Sequence, residues 1–311
     1  MVSPIGLGCW QFSKGKGLGG KFWPVLEDDE IENIVKVSLE GGVNWFDTAE
    51  NYGGGESERA LSKALKNLGK SPGEVIIATK WWPLFRTAKS IIRTIDRRLS
   101  ALGGFPIDLY QIHWPYSFSS TTAQMKAMAE LVKQGKIRHV GVSNFSAEKM
   151  RIAQQELSRQ GVDLISNQVQ YSLLNRKIET NGVLEMAREL GISIIAYSPL
   201  AQGLLTGKFH DNPDLIKNRA GFRKYTGAFK QNGLERSRPV MEVLRELAAK
   251  YQVSASQVAL NWVINSHREI VVAIPGATKA SHAEDNVGSM RFKLTRDELN
   301  RLDKVSSAFR N

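Results

Sequence analysis

The feature that most constrains the fold of this chain is a regular alternation of short β-type runs and longer helical stretches over its 311 residues. Each run is rich in β-branched and aromatic residues and is followed by at least one stretch with apolar residues at helical spacing. The predicted strands are residues 5–10, 43–49, 75–80, 109–114, 140–144, 167–171, 193–199 and 270–275. Eight such units favour a single (β/α)8 TIM barrel over residues 1–311, with a doubly wound sheet as the alternative.

Helices are predicted between the strands, with extra helices after the seventh and eighth strands. Their predicted ranges are 28–42, 56–68, 88–102, 122–135, 147–160, 183–190, 239–251, 255–265, 282–289 and 296–305. Ser146 is expected to cap the helix that begins at residue 147. Residues 201–235 show no clear apolar period, which predicts a long loop after the seventh strand, of the kind that often serves as a lid.

Composition and charge narrow the functional classes. The chain has 42 Lys and Arg against 31 Asp and Glu. Because the basic residues are spread along predicted helix faces, we expect a solvated basic surface with some charge directed at a phosphorylated cofactor, and no nucleic-acid partner. No apolar run of membrane-spanning length and no secretory signal is evident, and the single Cys9 cannot form an internal disulfide. We expect a cytoplasmic protein without a membrane partner, either monomeric or a weak homo-oligomer.

Two glycine-rich motifs near the N-terminus are misleading. Residues 15–20 fit the pattern G-x-G-x-x-G, but the next predicted helix begins only near Asp28. A dinucleotide fingerprint must open a helix directly, and a P-loop needs Ser or Thr where Phe22 stands. The segment is therefore interpreted as a flexible loop at the barrel mouth. The five histidines show no metal-binding spacing, so no metal site is predicted, and no serine-hydrolase elbow is present.

Ionisable side chains recur where the second, third and fourth strands are predicted to end. Asp47 ends the second strand, and Tyr52 lies in the loop that follows it. Lys80 ends the third strand and His113 the fourth. In a barrel the carboxyl ends of the strands converge on the catalytic face, so these four side chains are predicted to form the catalytic centre.

Together the four residue types are suited to carbonyl reduction. A hydride that reaches a carbonyl carbon leaves an alkoxide, which Tyr52 could protonate as a general acid. The Lys80 ammonium is expected to lower the pKa of Tyr52, and Asp47 to hold Lys80 and limit the cost of its burial. His113 could donate a hydrogen bond to the carbonyl oxygen.

On longer stretches the chain resembles the aldo-keto reductases, in particular their bacterial, plant and potassium-channel-β-like branch. The matching stretches run in family order and are residues 44–53, 109–115, 135–145, 167–172, 196–200 and 274–277. The resemblance implies NADPH-dependent reduction of aldehydes or ketones, with Tyr52 as the acid/base.

The resemblance also implies a cofactor site without a Rossmann domain. The implied contacts are with the carboxamide (Ser143, Asn144 and Gln168), the nicotinamide ring (Tyr197), the pyrophosphate (Ser198, Leu200 and Gly203) and the adenosine (Gly276, Thr278, Lys279, His282, Asp285 and Asn286). A helix N-terminus beside Lys279 would suit a 2′-phosphate, which favours NADPH/NADP⁺. His282 stands where many relatives carry Arg or Gln, so NAD(H) stays open as the alternative.

Two further expectations come from comparison with the family pattern. The family's N-terminal hairpin across the barrel floor is expected to be missing or truncated. We also expect the long C-terminal substrate loop of the mammalian aldose-reductase type to be absent, and residues 201–235 fit the longer cofactor-covering loops of the branch named above.

Aromatic residues near the predicted strand ends form the predicted substrate pocket, namely Trp10, Trp81, Trp82 and Trp114. Such a wall suits aromatic or pyridine aldehydes, and pyridoxal, nitrobenzaldehyde-type and sugar-derived carbonyls all remain open. The same site run in reverse would make an NADP-dependent sugar or alcohol dehydrogenase. A cofactor-binding regulatory subunit of the channel-β type with slow turnover is a further alternative, and a barrel isomerase is the most remote.

Overall fold

The computed structural model of the chain describes residues 1–217 and 225–311. It contains a sheet of eight parallel strands in which each strand pairs with the next one along the chain. The strands are β1 (Leu7–Gly8), β2 (Trp45–Asp47), β3 (Ile76–Trp81), β4 (Leu109–Ile112), β5 (His139–Ser143), β6 (Leu164–Gln170), β7 (Ser193–Tyr197) and β8 (Val271–Ala273).

Backbone contacts between the first and last strands close the sheet into a barrel. Ile5 and Ala273 form a parallel bridge, as do Gly8 and Gly276. The Gly6 N–H donates to the Ala273 carbonyl at 2.8 Å, and the Ala273 N–H donates to the Pro4 carbonyl at 3.0 Å. The chain is therefore a (β/α)8 barrel, as the sequence predicted.

Helices surround the strands. They are α1 (Gly17–Gly20), α2 (Asp28–Glu40), α3 (Glu56–Asn67), α4 (Lys89–Ala101), α5 (Thr121–Lys133), α6 (Ala147–Arg159), α7 (Val183–Leu190), α8 (Lys208–Asp211), α9 (Gln231–Tyr251), α10 (Ala255–Ser266), α11 (Ala280–Gly288) and α12 (Arg296–Val305). Short 3-10 turns occupy Trp10–Ser13, Lys177–Glu179, Ala201–Thr206, Pro213–Ile216, Gly227–Phe229 and Ser307–Phe309. Within the described ranges, no helix is both long and apolar enough to cross a membrane.

The helices form where apolar spacing and end-capping coincide. In α2 the buried residues Ile31, Ile34 and Val35 lie on one face, as their spacing predicted. The Ser146 side chain accepts a hydrogen bond from the Lys149 N–H, so the predicted N-cap of α6 is confirmed. Such apolar faces pack against the outside of the sheet and form the main core.

The start of α9 differs from the prediction, which placed Pro239 in the first turn. The helix begins at Gln231, and Pro239 lies inside it. The earlier turns carry Leu234, which is buried in a small apolar cluster with Phe209 and Phe229. Burial of this side chain favours helix in the turns before the proline, although Pro239 provides no N–H for the helix.

The predicted loop at residues 201–235 is also only partly correct. Its described residues contain short helical elements, including α8 and the 3-10 turn at Pro213–Ile216. Residues 218–224 lie outside the described part of the chain. Residues 15–20, interpreted as a flexible loop, include the single helical turn α1. Over residues 1–6, which the structure does describe, no hairpin precedes β1.

Candidate active site

A cavity of about 1840 Å³ opens at the carboxyl ends of the strands. Drug-sized pockets are typically about 300–1,000 Å³, so this cavity has room for a larger ligand. Asp47, Tyr52 and His113 line it on one side, and residues 276–286 line its far end. The strand ends thus bring three of the four predicted catalytic side chains to the cavity wall.

Lys80 lies directly behind this wall and joins two of those residues. Its side chain is fully buried, and its Nζ donates to the Asp47 carboxylate and to the Thr48 carbonyl at 2.8 Å. The Lys80 Nζ also lies 3.5 Å from the Tyr52 hydroxyl. Asp47 is itself buried, so the pair satisfies a charge that would be costly to bury alone. The four-residue arrangement predicted from sequence is therefore assembled.

The net direction of the Tyr52 pKa shift corrects the expectation from sequence. Burial raises the pKa of Tyr52 above its usual value, and the Lys80 ammonium lowers it only in part, while Asp47 adds to the increase. For Lys80, burial disfavours the charge, but Asp47 and Tyr52 together raise its pKa. The lysine therefore stays an ammonium and Tyr52 stays a neutral phenol, which is the form that can donate a proton.

His113 is held as a neutral imidazole. Burial, assisted by the Lys80 charge, lowers the pKa of His113 well below its usual value. Its Nδ1 has no hydrogen-bond partner among the described residues. Its ring lies edge-on to Tyr52, with the ring centroids 5.7 Å apart. A neutral histidine beside the phenol can donate one hydrogen bond without adding a second positive charge.

Two glutamines complete the environment of Asp47. The Gln168 Nε2 donates to the Asp47 Oδ2 at 2.8 Å, and the Gln111 Nε2 donates to the same oxygen at 3.1 Å. The role of Gln111 was not predicted, although its position two residues before His113 on β4 provides a signal, because alternate strand residues face the same side. A Cβ on Gly141 would lie 3.0 Å from the Gln111 Cγ, so glycine leaves room for this side chain.

Aromatic rings form the wall around Tyr52 and His113. Trp10 stacks on Tyr52 with centroids 5.8 Å apart, and Trp82 lies edge-on to His113 at 5.2 Å. Trp114 also lines the cavity. Three of the four predicted pocket residues are thus brought together.

Trp81 is the exception and is removed from the predicted pocket. Its side chain is fully buried in the main core, and its Nε1 donates to the Ser90 Oγ of α4 at 3.1 Å. Successive residues of a strand point to opposite faces, so Lys80 enters the barrel interior while Trp81 packs against the helices.

All thirteen predicted cofactor contacts line the same cavity as Tyr52. The Tyr197 hydroxyl donates to the Asn144 Oδ1 at 3.0 Å, and the Ser143 hydroxyl donates to the Gln168 carbonyl at 2.9 Å. These bonds fix the side chains at the ends of β5 and β7 relative to each other and to the backbone of β6. Their role as cofactor contacts stays a prediction.

The far end of the cavity combines a lysine with an uncapped helix N-terminus. Lys279 is exposed immediately before α11, and no side chain caps the first N–H groups of that helix in the described structure. The Nδ1 of His282 lies 3.1 Å from the Thr278 Oγ1. Asn286 is buried, and its Nδ2 has no partner among the described residues. This end offers several donors to an anionic or polar ligand.

Among the described residues, seven non-glycine residues have positive φ, and four of them lie among or beside the predicted cofactor contacts. They are Asn144 (φ 60°), Ser198 (50°), Ala201 (47°) and Gln202 (57°). Such backbone conformations are uncommon for residues with a side chain and concentrate at ligand-binding segments. Within residues 1–217 and 225–311, no group of three His, Cys, Asp or Glu side chains could hold a metal ion.

Comparisons with known proteins show which sequences this chain resembles. The sequence profile of the Aldo/keto reductase family matches residues 4–307. A curated relative, the chloroplastic pyridoxal reductase of Arabidopsis thaliana, is 33% identical over 97% of this chain and 82% of its own length.

Solved structures show the same similarity in three dimensions. The glycerol dehydrogenase of Gluconobacter oxydans superimposes with a TM-score of 0.84 at 28% identity, covering 100% of this chain and 93% of that chain. An aldo-keto reductase of Klebsiella pneumoniae, crystallised in complex with NADPH, gives a TM-score of 0.73 at 26% identity and covers 97% of this chain and 90% of that chain.

Proposed function

The chain belongs to the aldo/keto reductase family and is an oxidoreductase, and on that premise we propose that it uses NADPH to reduce aldehydes or ketones to alcohols, with Tyr52 as general acid. The observation that carries this proposal is the buried Asp47–Lys80 pair beside the Tyr52 hydroxyl at the cavity wall. The same cavity contains the predicted nicotinamide contacts.

The chain's own residues supply proton transfer and orientation. His113 donates a hydrogen bond to the carbonyl oxygen, and Tyr52 donates its phenolic proton to that oxygen as negative charge develops on it. The Lys80 ammonium stabilises the phenolate that remains, and Asp47 keeps Lys80 in place. When bound, the reduced nicotinamide supplies the hydride. The aromatic wall of Trp10, Tyr52 and Trp82 excludes water from the reacting carbonyl.

The cavity fits a phosphorylated dinucleotide. Its volume exceeds that of an ordinary drug-sized pocket, and its far end presents Lys279, the uncapped N-terminus of α11 and the unpartnered Nδ2 of Asn286. We assign Lys279 to the 2′-phosphate, which favours NADPH over NADH. The similar protein crystallised with NADPH, at 26% identity, supports NADPH as the cofactor.

A carbonyl panel tests the proposed function. The purified chain is mixed with NADPH and with pyridoxal, a nitrobenzaldehyde or an aldose, and the loss of NADPH absorbance is followed. The similarity to a glycerol dehydrogenase motivates a reverse arm with NADP⁺ and glycerol. We expect turnover with at least one carbonyl. NADPH binding without turnover in either direction would favour a regulatory cofactor-binding subunit, and absence of NADPH binding would overturn the cofactor assignment.

A further inference from the structure

A buried group of charges connects the loop that carries Tyr52 to the aromatic wall of the cavity. Glu50 lies in this loop, two residues before Tyr52, and only 7% of its surface is exposed. Its backbone N–H donates to the Lys80 carbonyl at 3.2 Å, which ties the loop to the end of β3. The Glu50 side chain therefore extends from a fixed backbone position next to the reacting groups.

The Glu50 carboxylate accepts bonds from three donors. One oxygen accepts the Trp82 backbone N–H at 2.5 Å and a bond from the Arg86 guanidinium. The other oxygen accepts from the Arg98 Nη1 at 2.8 Å. A carboxylate held by two guanidinium groups and one backbone amide has little freedom to move.

Arg86 holds the same tryptophan from the other side. Its Nη1 donates to the Trp82 carbonyl at 3.1 Å, while its remaining nitrogens donate to the Ser90 and Thr94 hydroxyls of α4. The N–H and the carbonyl of Trp82 are thus both bound within one network. The Trp82 ring contacts His113 edge-on at a centroid distance of 5.2 Å.

We infer that Glu50 is a positioning residue, which sets the Trp82 ring against His113 and thereby the orientation of the carbonyl relative to Tyr52. This inference rests on the function proposed above. Glu50 has no part in the proton transfer, because its carboxylate is directed at Trp82 and the two arginines. Loss of Glu50 is expected to lower kcat/KM for the carbonyl substrate and to leave the affinity for NADPH unchanged.

Glu58 offers a matched control within the same network. It is fully buried, pairs with the Arg98 Nε at 2.9 Å and accepts the Thr79 hydroxyl at 2.7 Å, but its hydrogen bonds reach neither Trp82 nor Arg86. Burial, opposed in part by Arg98, raises the pKa of Glu58 to about 7. Assays at about pH 8 therefore compare two substitutions, Glu50→Gln and Glu58→Gln, that each remove a negative charge from the network.

The experiment is a double-mutant cycle with Trp82→Phe. We expect Glu50→Gln to lower kcat/KM for the carbonyl by about tenfold, since small displacements of positioning groups cost this much or more. In the Trp82→Phe background the loss should shrink to less than about threefold, because the indole that Glu50 positions against His113 is gone. Glu58→Gln should lower thermal stability comparably but change kcat/KM by less than about twofold. Equal losses in both backgrounds, or an equal loss in Glu58→Gln, would overturn the inference.

A spectroscopic measurement makes the test independent of turnover. The chain has seven tryptophans, and fluorotryptophan labelling gives one fluorine resonance for each. The resonance lost in Trp82→Phe identifies Trp82. We expect it to shift or broaden in Glu50→Gln and to stay in place in Glu58→Gln, whereas an unmoved resonance in both would refute the positioning role. If the wild type reduces no carbonyl, the proposed function fails while these spectra still decide the role of Glu50.

If Glu50→Gln does not fold, Arg86→Met replaces it. The Arg86 side chain is 25% exposed, so its loss is better tolerated than that of a fully buried charge. We expect the same displacement of the Trp82 resonance, because the hydrogen bond from Arg86 to the Trp82 carbonyl is lost. An unchanged resonance would contradict the inference.

Discussion

The two sides of the cavity are built in different ways. One side, called the catalytic side after its proposed role, comprises Asp47, Tyr52, Lys80 and His113 near the ends of β2, β3 and β4. Its charged residues are buried and bonded to one another, with Lys80 completely inaccessible to solvent. The ligand side comprises residues 143–144, 197–208 and 276–286. It has exposed cations, left-handed backbone positions and donors that the described chain leaves unpaired.

The difference shows how the site divides its tasks. On the catalytic side, packing and ion pairing fix the four side chains before any ligand binds, so the proposed proton transfer would need little reorganisation. On the ligand side, we expect a bound ligand to compensate for the backbone strain and the unpaired donors. Substitutions on the two sides should therefore affect different measurements.

The largest effect is expected from Tyr52→Phe. This change removes the hydroxyl that lies 3.5 Å from the Lys80 Nζ, and loss of a positioned general acid costs about a hundredfold to ten-thousandfold in rate. Turnover is measured by NADPH absorbance and cofactor affinity by fluorescence titration. We expect affinity to stay within about twofold of the wild type, since the ligand side is untouched. Full turnover in the variant would remove Tyr52 from its role.

The next largest effect is expected on the free energy of unfolding. Lys80→Met leaves the Asp47 carboxylate buried without its cation, which should lower the free energy of unfolding by about 3–5 kcal/mol. The matched variant Lys279→Met removes an exposed lysine from the ligand side, and should change it by less than about 0.5 kcal/mol. Urea denaturation of both variants measures the difference. Equal losses would mean that the two sides are not built differently.

The pH dependence of the reduction tests whether burial or the Lys80 charge has the larger effect on the pKa of Tyr52. The reaction needs protonated Tyr52, and burial raises the pKa of Tyr52 above its usual value of 10.0 despite Lys80. The kcat/KM should therefore stay level with rising pH and fall, about tenfold per pH unit, only above that pKa. We expect no change in kcat/KM near pH 6.5, because the pKa of His113 lies well below that value. If kcat/KM began to fall at about pH 8, the Lys80 charge would outweigh burial in setting the pKa of Tyr52.

The smallest effect is expected at the far end of the ligand side. Lys279→Ala should reduce the preference for NADPH over NADH by about fivefold, since an exposed ion pair contributes at most about 1 kcal/mol. Fluorescence titrations with both cofactors measure the preference, and the exposed Lys89→Ala on α4 serves as control. An unchanged preference would remove Lys279 from the 2′-phosphate assignment.

The strands and helices were predictable because both depend on local periodicity. The bounds of most elements differ from prediction by a few residues, and α7 and α12 match in full. The placement of the four proposed catalytic residues was predictable for a related reason. Once eight parallel strands are recognised, the barrel brings their carboxyl ends together, so a residue's position in the chain indicates its place in the site.

Features that depend on tertiary packing were missed. Trp81 and Trp82 are adjacent in sequence, and only the strand register shows which one faces the cavity. The network around Glu50 joins residues from α3, α4 and the end of β3, and no motif indicates it. The raised pKa of Tyr52 depends on the depth of burial. Each of these properties requires distances between segments that are remote in sequence.

The hydrogen bonds that join Pro4 and Gly6 to Ala273 have a consequence for how the chain folds. During synthesis, the first strand leaves the ribosome early and must wait for nearly the whole polypeptide before its second partner exists. Contacts between such distant segments slow folding, because the long loop loses entropy before the contact forms. Until then, β1 and β7 present open strand edges that can pair with other chains. Completion of the ring therefore also removes the surface on which a nascent chain is most prone to aggregate.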